Sequence, residues 1–206
     1  MGMIVIVDYG LGNLRSISKA TKSITENVII SSQKKDLDNA HKIILPGVGY
    51  YKTAIDNLKK IKLIDVLNFN VLENKKPVLG ICLGMQIMTD FGDEGGCKGL
   101  GWIKGDTSIL NVNDRIPQVG WNSVDILKKN KLLHDQDIKD SKNEFFFVHS
   151  YHVNLKNNDD ALFETTYSNK KFYSGFSKDN IYGVQFHPEK SYDIGIKLIS
   201  NFIQNV

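Results

Sequence analysis

Lys76-Pro77-Val78-Leu79-Gly80-Ile81-Cys82-Leu83-Gly84-Met85-Gln86 carries an apolar strand, a glycine-flanked cysteine and the start of a helix in eleven consecutive residues. A strand that turns sharply into a helix through G-x-C-x-G has the form of a nucleophile elbow with cysteine in place of serine. The bend strains the central residue, and a Cβ at position 80 or 84 would crowd it, so glycine is needed on both sides. The helix that follows points free N–H groups and its positive dipole end at the sulfur, which favours thiolate. The Leu83 N–H is placed to donate to an oxyanion. A core cysteine between packing glycines is the commoner fate of a lone cysteine. Two glycines at elbow spacing directly after a strand select the nucleophile instead.

The segments on the N-terminal side place this elbow in a repeating pattern. Residues 3–7, 28–30, 42–45 and 77–81 are short apolar runs, the first a continuous β-branched stretch typical of a strand buried on both faces. Between them lie amphipathic stretches with Leu14, Ile17, Ala20 and Ile24, and later Ala54, Ile55, Leu58 and Ile61, along one side. Residues 83–91 are expected to form another helix. Strand–helix alternation implies a mostly parallel sheet flanked by helices, an α/β fold. After Gly92 the pattern changes to glycine-rich turns and extended stretches at 121–127, 144–153, 172–177 and 181–186, before a closing helix over 191–205. We therefore expect an antiparallel layer added in the second half. With no repeat or linker, residues 1–206 are expected to form one domain.

Bulk composition narrows the function. The chain is 41% hydrophobic and 24% charged, with a net charge of +3 and scattered lysines, so neither nucleic acid nor a membrane surface is an expected partner. No apolar run approaches the roughly 20 residues of a membrane span, and no leader pattern opens the sequence. Two cysteines, Cys82 and Cys97, make no disulfide framework, and a reducing cytoplasm is the expected setting. Cys97, in a glycine-rich loop, is incidental. A zinc site from Cys82, His149 and His152 matches no usual ligand spacing, and neither a metal nor a cofactor is expected.

A cysteine nucleophile needs a proton donor for its leaving group. Of His41, His134, His149, His152 and His187, the last follows an expected strand and is fixed by Pro188. Glu189, two residues on, can accept from the second ring nitrogen and hold the tautomer. His152 is read as a strand residue with its face in the core.

The elbow and the later Gly183-Val184-Gln185-Phe186-His187-Pro188-Glu189-Lys190-Ser191 resemble the class I (triad) glutamine amidotransferases. Three further segments are similar to the glutaminase subunit of imidazole glycerol phosphate synthase, from histidine biosynthesis. They are Val7-Asp8-Tyr9-Gly10-Leu11-Gly12-Asn13-Leu14-Arg15-Ser16, Pro117-Gln118-Val119-Gly120-Trp121-Asn122 and Phe147-Val148-His149-Ser150-Tyr151. The likeness spans essentially the whole chain. It implies a flavodoxin-like sheet and hydrolysis of L-glutamine through a thioester on Cys82, with His187 and Glu189 completing the triad. It also implies oxyanion donors at Val48, Gly49 and Leu83, in part from the turn Pro46-Gly47-Val48-Gly49. Gln86, Glu94, Ser150 and Tyr151 would hold the substrate. Pro117, Gln118, Trp121, Asn122 and Lys190 would face a (β/α)8 synthase subunit in a heterodimer. That partner would receive the ammonia and make imidazole glycerol phosphate and AICAR. A barrel of about 250 residues does not fit in 206, so the ammonia-using half is expected on another chain. The sequence departs from the family pattern at Gln118, where members usually carry histidine. That departure leaves a paralogous synthase amidating a bacterial surface sugar as an alternative partner.

Rival readings fit less well. Gly10-Leu11-Gly12 after a strand suggests a dinucleotide fingerprint, but its third glycine would fall on Arg15. A cysteine hydrolase acting alone would not need Glu94 and Tyr151 to frame an amino-acid substrate.

Overall fold

The computed structural model describes residues 2–133 and 143–206; His134 lies outside them. The short apolar runs form the strands expected of them: β1 (Ile4–Val7), β2 (Val28–Ser31), β3 (Lys42–Leu45) and β4 (Val78–Ile81). Between them run helices α1 (Leu14–Lys22), α2 (Lys34–Asn39), α3 (Tyr51–Lys60) and α4 (Ile64–Asn68), the last continuing as a π-helical turn to Glu73. With a later strand, Ile181–Val184, they build a parallel array in the order β2, β1, β3, β4 and Ile181–Val184. This is the flavodoxin-like order. Two apolar clusters cover its faces, one holding Ile6, Ile44 and Leu79 and the other Val5, Val7 and Ile43, as period-2 alternation requires.

The helix expected over 83–91 is shorter. Helix α5 (Leu83–Gln86) stops after one turn and the chain turns into β5 (Thr89–Gly92). Its continuation is blocked because the carbonyls of Ile87, Met88 and Thr89 accept from the N–H groups of Leu100, Trp102, Ile103 and Gly101. The Thr89 hydroxyl also donates to the Gln86 carbonyl at 2.8 Å, satisfying a C-terminal group of the helix.

The glycine-rich second half pairs β6 (Cys97–Lys98) and β7 (Ile103–Ile109) with β5. It then adds β8 (Gln118–Ser123), β9 (Asp125–Ile126), β10 (Glu144–His149), β11 (Tyr151–Leu155), β12 (Ala161–Tyr167), β13 (Lys170–Lys178) and β14 (Ile181–Val184). The antiparallel strands β13 and β11 continue the same sheet beyond β14, while β8 and β10 form a separate two-stranded ladder. The extended run expected over 144–153 is thus two strands broken at Ser150. Helix α6 (Tyr192–Asn205) closes the chain, burying Ile194, Leu198, Ile199 and Phe202 as its periodicity requires. Lys42 caps this helix from within, its Nζ donating to the carbonyls of Phe202 (2.9 Å), Ile203 (2.7 Å) and Val206 (2.8 Å). Among the described residues, no helix is long and apolar enough to cross a membrane.

Candidate active site

Three neighbouring parallel strands deliver the chemistry at their carboxyl ends, where open α/β sheets bind ligands. Strand β3 leads into Pro46–Gly49, β4 into Cys82, and β14 into His187. The register Leu45↔Gly80 and Ile81↔Val184, with Cys82 N–H donating to the Val184 carbonyl at 2.8 Å, sets them side by side.

Cys82 has φ 53° and ψ −111°, the strained turn that the glycines imply. A Cβ on Gly84 would lie 1.9 Å from the Leu45 carbonyl oxygen, and one on Gly80 would lie 2.8 Å from the Gly84 carbonyl oxygen. The bend can therefore pack against β3 only if position 84 has no side chain. The Tyr9 hydroxyl donates to the Pro46 carbonyl at 2.6 Å and steadies the neighbouring loop.

Behind Cys82, His187 and Glu189 are sealed from solvent, with side chains 1% and 0% exposed, and His187 Nδ1 lies 2.9 Å from Glu189 Oε1. Burial disfavours the charged ring, but the Cys82 sulfur and the Glu189 carboxylate outweigh it and raise the His187 pKa to about 10. His187 Nε2 makes no conventional hydrogen bond, so the sulfur acts on it chiefly through charge. The His187 N–H donates to the Phe146 carbonyl at 2.9 Å, and the Ser191 hydroxyl donates to the His187 carbonyl at 2.6 Å. The first bond ties the His187 backbone to β10, and Ser191 Oγ does so indirectly by accepting the Phe146 N–H at 3.0 Å.

A cavity of about 330 Å³ opens on the sulfur, lined by Val48, Gly49, Cys82, Leu83, Gln86, Glu94, Pro117, Val148, His149, Ser150 and Tyr151. All the residues expected to hold substrate or oxyanion meet there. Glu94 Oε2 accepts the Tyr51 N–H at 2.7 Å, and burial raises the carboxyl pKa. Gln86 Nε2 donates to the Tyr151 carbonyl at 2.9 Å and to Gln185 Oε1 at 3.1 Å.

The residues expected at a partner face divide. Trp121 is 43% exposed and stacks on Tyr192, itself 78% exposed, with ring centroids 4.9 Å apart. Lys190 Nζ sits 5.5 Å from the Phe146 ring centroid, and Asn122 Nδ2 donates to the Thr166 carbonyl at 2.9 Å. Pro117 lines the cavity, and Gln118 turns inward. It is 2% exposed, with its amide 3.0 Å from His149 Nε2. The strand alternation of β8 accounts for this, since Gln118 and Trp121 lie an odd number of residues apart and point to opposite faces. His152 is 3% exposed. Sequence reasoning passed over Tyr9, Gln185 and Tyr192. Tyr9 and Gln185 lie within motifs quoted above and Tyr192 adjoins one, but their contacts are made across the fold.

The sequence profile described as "Glutamine amidotransferase class-I" matches residues 5–206. The chain belongs to the class I glutamine amidotransferases. It is 47% identical to "Imidazole glycerol phosphate synthase subunit HisH 2" of Methanococcus maripaludis, covering 98% of this chain and 99% of the relative. It is 45% identical to the subunit HisH 1 of Campylobacter jejuni, covering 98% and 100%. The HisH subunit of Methanocaldococcus jannaschii is 43% identical over 98% and 99%. Within the class, its place is among the HisH subunits. The fold is shared with the solved structure of PurLQS from Thermotoga maritima, with a TM-score of 0.76 at 18% identity over 98% of each chain.

Proposed function

We propose that this chain is the glutaminase subunit of an imidazole glycerol phosphate synthase, with residues 1–206 acting as one amidotransferase unit. The observation that carries the reading is the buried His187–Glu189 pair beside a strained Cys82 whose sulfur opens on the cavity.

In this reading the Cys82 thiolate adds to the carboxamide carbon of L-glutamine. The new oxyanion takes N–H donors from Leu83 and from the loop at Val48 and Gly49. His187 gives its proton to the leaving nitrogen, the C–N bond breaks, and ammonia departs from a thioester on Cys82. Water then attacks the thioester carbon and yields its proton to His187. The C–S bond breaks, releasing glutamate. Glu189 holds the ring and offsets its charge throughout. The amide oxygen of Gln86 and the carboxylate of Glu94 suit the substrate's α-ammonium, and Ser150 and Tyr151 line the same cavity.

The ammonia is passed to a (β/α)8 synthase in a heterodimer, making imidazole glycerol phosphate and AICAR for histidine biosynthesis. Trp121, Asn122 and Lys190, with Pro117 near the cavity mouth, supply its docking face. Gln118 supports that face from below. The names of the relatives support this partner over one that amidates a surface sugar, for which only the departure at Gln118 speaks. A cytoplasmic setting fits a biosynthetic subunit of this kind.

The test is Cys82→Ala. Glutaminase activity should be abolished while the melting temperature and synthase binding stay near those of the parent chain. Turnover above a few per cent of the parent's would remove Cys82 from its role. Capture of the native partner from lysate should recover the histidine-pathway synthase, and recovery of a surface-sugar synthase would replace that part of the reading.

A further inference from the structure

Gln185 lies between β14 and His187, is fully buried, and has no part in the mechanism above. Its Nε2 is 3.6 Å from Cys82 Sγ, within reach of an N–H···S hydrogen bond. We infer that the Gln185 side-chain amide is a donor that holds the Cys82 thiolate, oriented by a hydrogen-bond chain that begins at the Tyr151 backbone carbonyl. The inference rests on the assignment of Cys82 as the nucleophile.

A side-chain amide can be turned end for end, so its direction needs an anchor. A backbone carbonyl only accepts. The group 2.9 Å from the Tyr151 carbonyl must therefore be the NH2 of Gln86. The same NH2 lies 3.1 Å from the other amide, so Gln185 must face it with its oxygen. That leaves the Gln185 NH2 directed at the sulfur. Each step follows from donor and acceptor chemistry alone, and the anchor is a residue of the cavity wall.

The donor has an opponent. The Val148 carbonyl lies 3.8 Å from Sγ and can accept only from a protonated thiol. It therefore favours the neutral form, whereas an N–H from Gln185 favours the anion. His187 raises the anion's share chiefly through its charge, and among the described residues the Gln185 N–H is the side-chain donor placed within hydrogen-bond distance of the sulfur.

The test is the pH dependence of Cys82 alkylation by iodoacetamide, in the full chain carrying Cys97→Ser, with glutaminase kinetics measured on its complex with the synthase. Gln185→Met keeps the volume and removes the donor. Its alkylation midpoint should rise by about one pH unit, with kcat falling roughly tenfold near neutrality and KM little changed. Gln185→Leu, which also carries no donor, should raise the midpoint by a similar amount. A folded Gln185→Met with an unmoved midpoint overturns the inference. If that variant does not fold, an unmoved midpoint in Gln185→Leu does the same. If, in the unsubstituted chain that keeps both thiols, Cys82 alkylates no faster than Cys97, the nucleophile assignment and this inference fall together. A fast-reacting parent Cys82 with insensitive variants sinks the inference alone.

Discussion

The elbow and the β8–β10 ladder lie on either side of one cavity, yet they are built on opposite terms. Around the elbow the chain is tightly packed: Gly84 faces the Leu45 carbonyl, Gly80 faces α5, and His187 and Glu189 are closed off from water. On the ladder, Val119 is 62% exposed, Trp121 43%, and nearby Ile116 40%, with Tyr192 beside them at 78%. Gly120 has a positive φ of 132°, but a Cβ there would meet nothing within 4 Å. One region is completed by its own chain. The other leaves apolar surface of the kind that a second chain covers.

The largest effect should come from testing this contrast with glycine substitutions. Gly84→Ala must move β3 or α5, since its Cβ would fall well inside the Leu45 carbonyl. We expect a loss above about 3 kcal/mol in urea unfolding, or no folded protein at all. Gly120→Ala adds only backbone strain and should lose about 1–2 kcal/mol. Equal losses would show that the two regions are equally packed.

Next in size is the proposed partner face. Trp121→Ala should weaken synthase binding by about 2–4 kcal/mol, roughly 30- to 1000-fold by titration calorimetry. Since the ring is stacked only on exposed Tyr192 and edge-on to Phe146, the melting temperature of the isolated chain should barely change. Undiminished affinity would move the docking surface elsewhere.

The same contrast explains what the amino-acid order disclosed. The elbow was legible because its rule is local: a bend after a strand needs small neighbours, and Gly80 and Gly84 stand beside Cys82. The parallel core was legible from short apolar runs of three to five residues. The length of α5 was not, because partners at residues 100–103 claim the carbonyls of 87–89 and nothing within 83–91 announces this. The family likeness brought Gln86, Glu94 and Tyr151 to one cavity, a meeting that spacing alone does not disclose. Gln118 was expected at the partner face, and strand alternation could have turned it inward, but its bond to His149 spans 31 residues. Gln185 was visible in the His187 motif, but its direction depends on Gln86, 99 residues away.

His149 lies on the seam between the two regions and should give the smallest effect. It ends β10, lines the cavity, and reaches Gln118 on β8. Burial lowers its pKa to about 4, so the ring is neutral at neutral pH. Its Nδ1 lies 2.7 Å from the Tyr151 carbonyl and its Nε2 3.0 Å from Gln118 Oε1; a neutral ring that donates Nδ1–H can only accept at Nε2, so the neutral state calls for the Gln118 amide turned end for end, with its NH2 in place of Oε1. The folded pKa lies below the unfolded value of 6.5, so the unfolded chain takes up the proton first. Stability is therefore full above pH 6.5 and declines as the pH falls from 6.5 toward 4, by on the order of 2–3 kcal/mol from this residue. Buried His152, also lowered to about 4, adds a comparable decline. His149→Phe should start less stable, because Gln118 loses its partner, but its acid decline should be shallower by about half of the histidine share. Urea unfolding at a series of pH values measures both. Parallel acid limbs in the two proteins would mean that His149 is protonated as readily in the fold as out of it, and that the seam admits water.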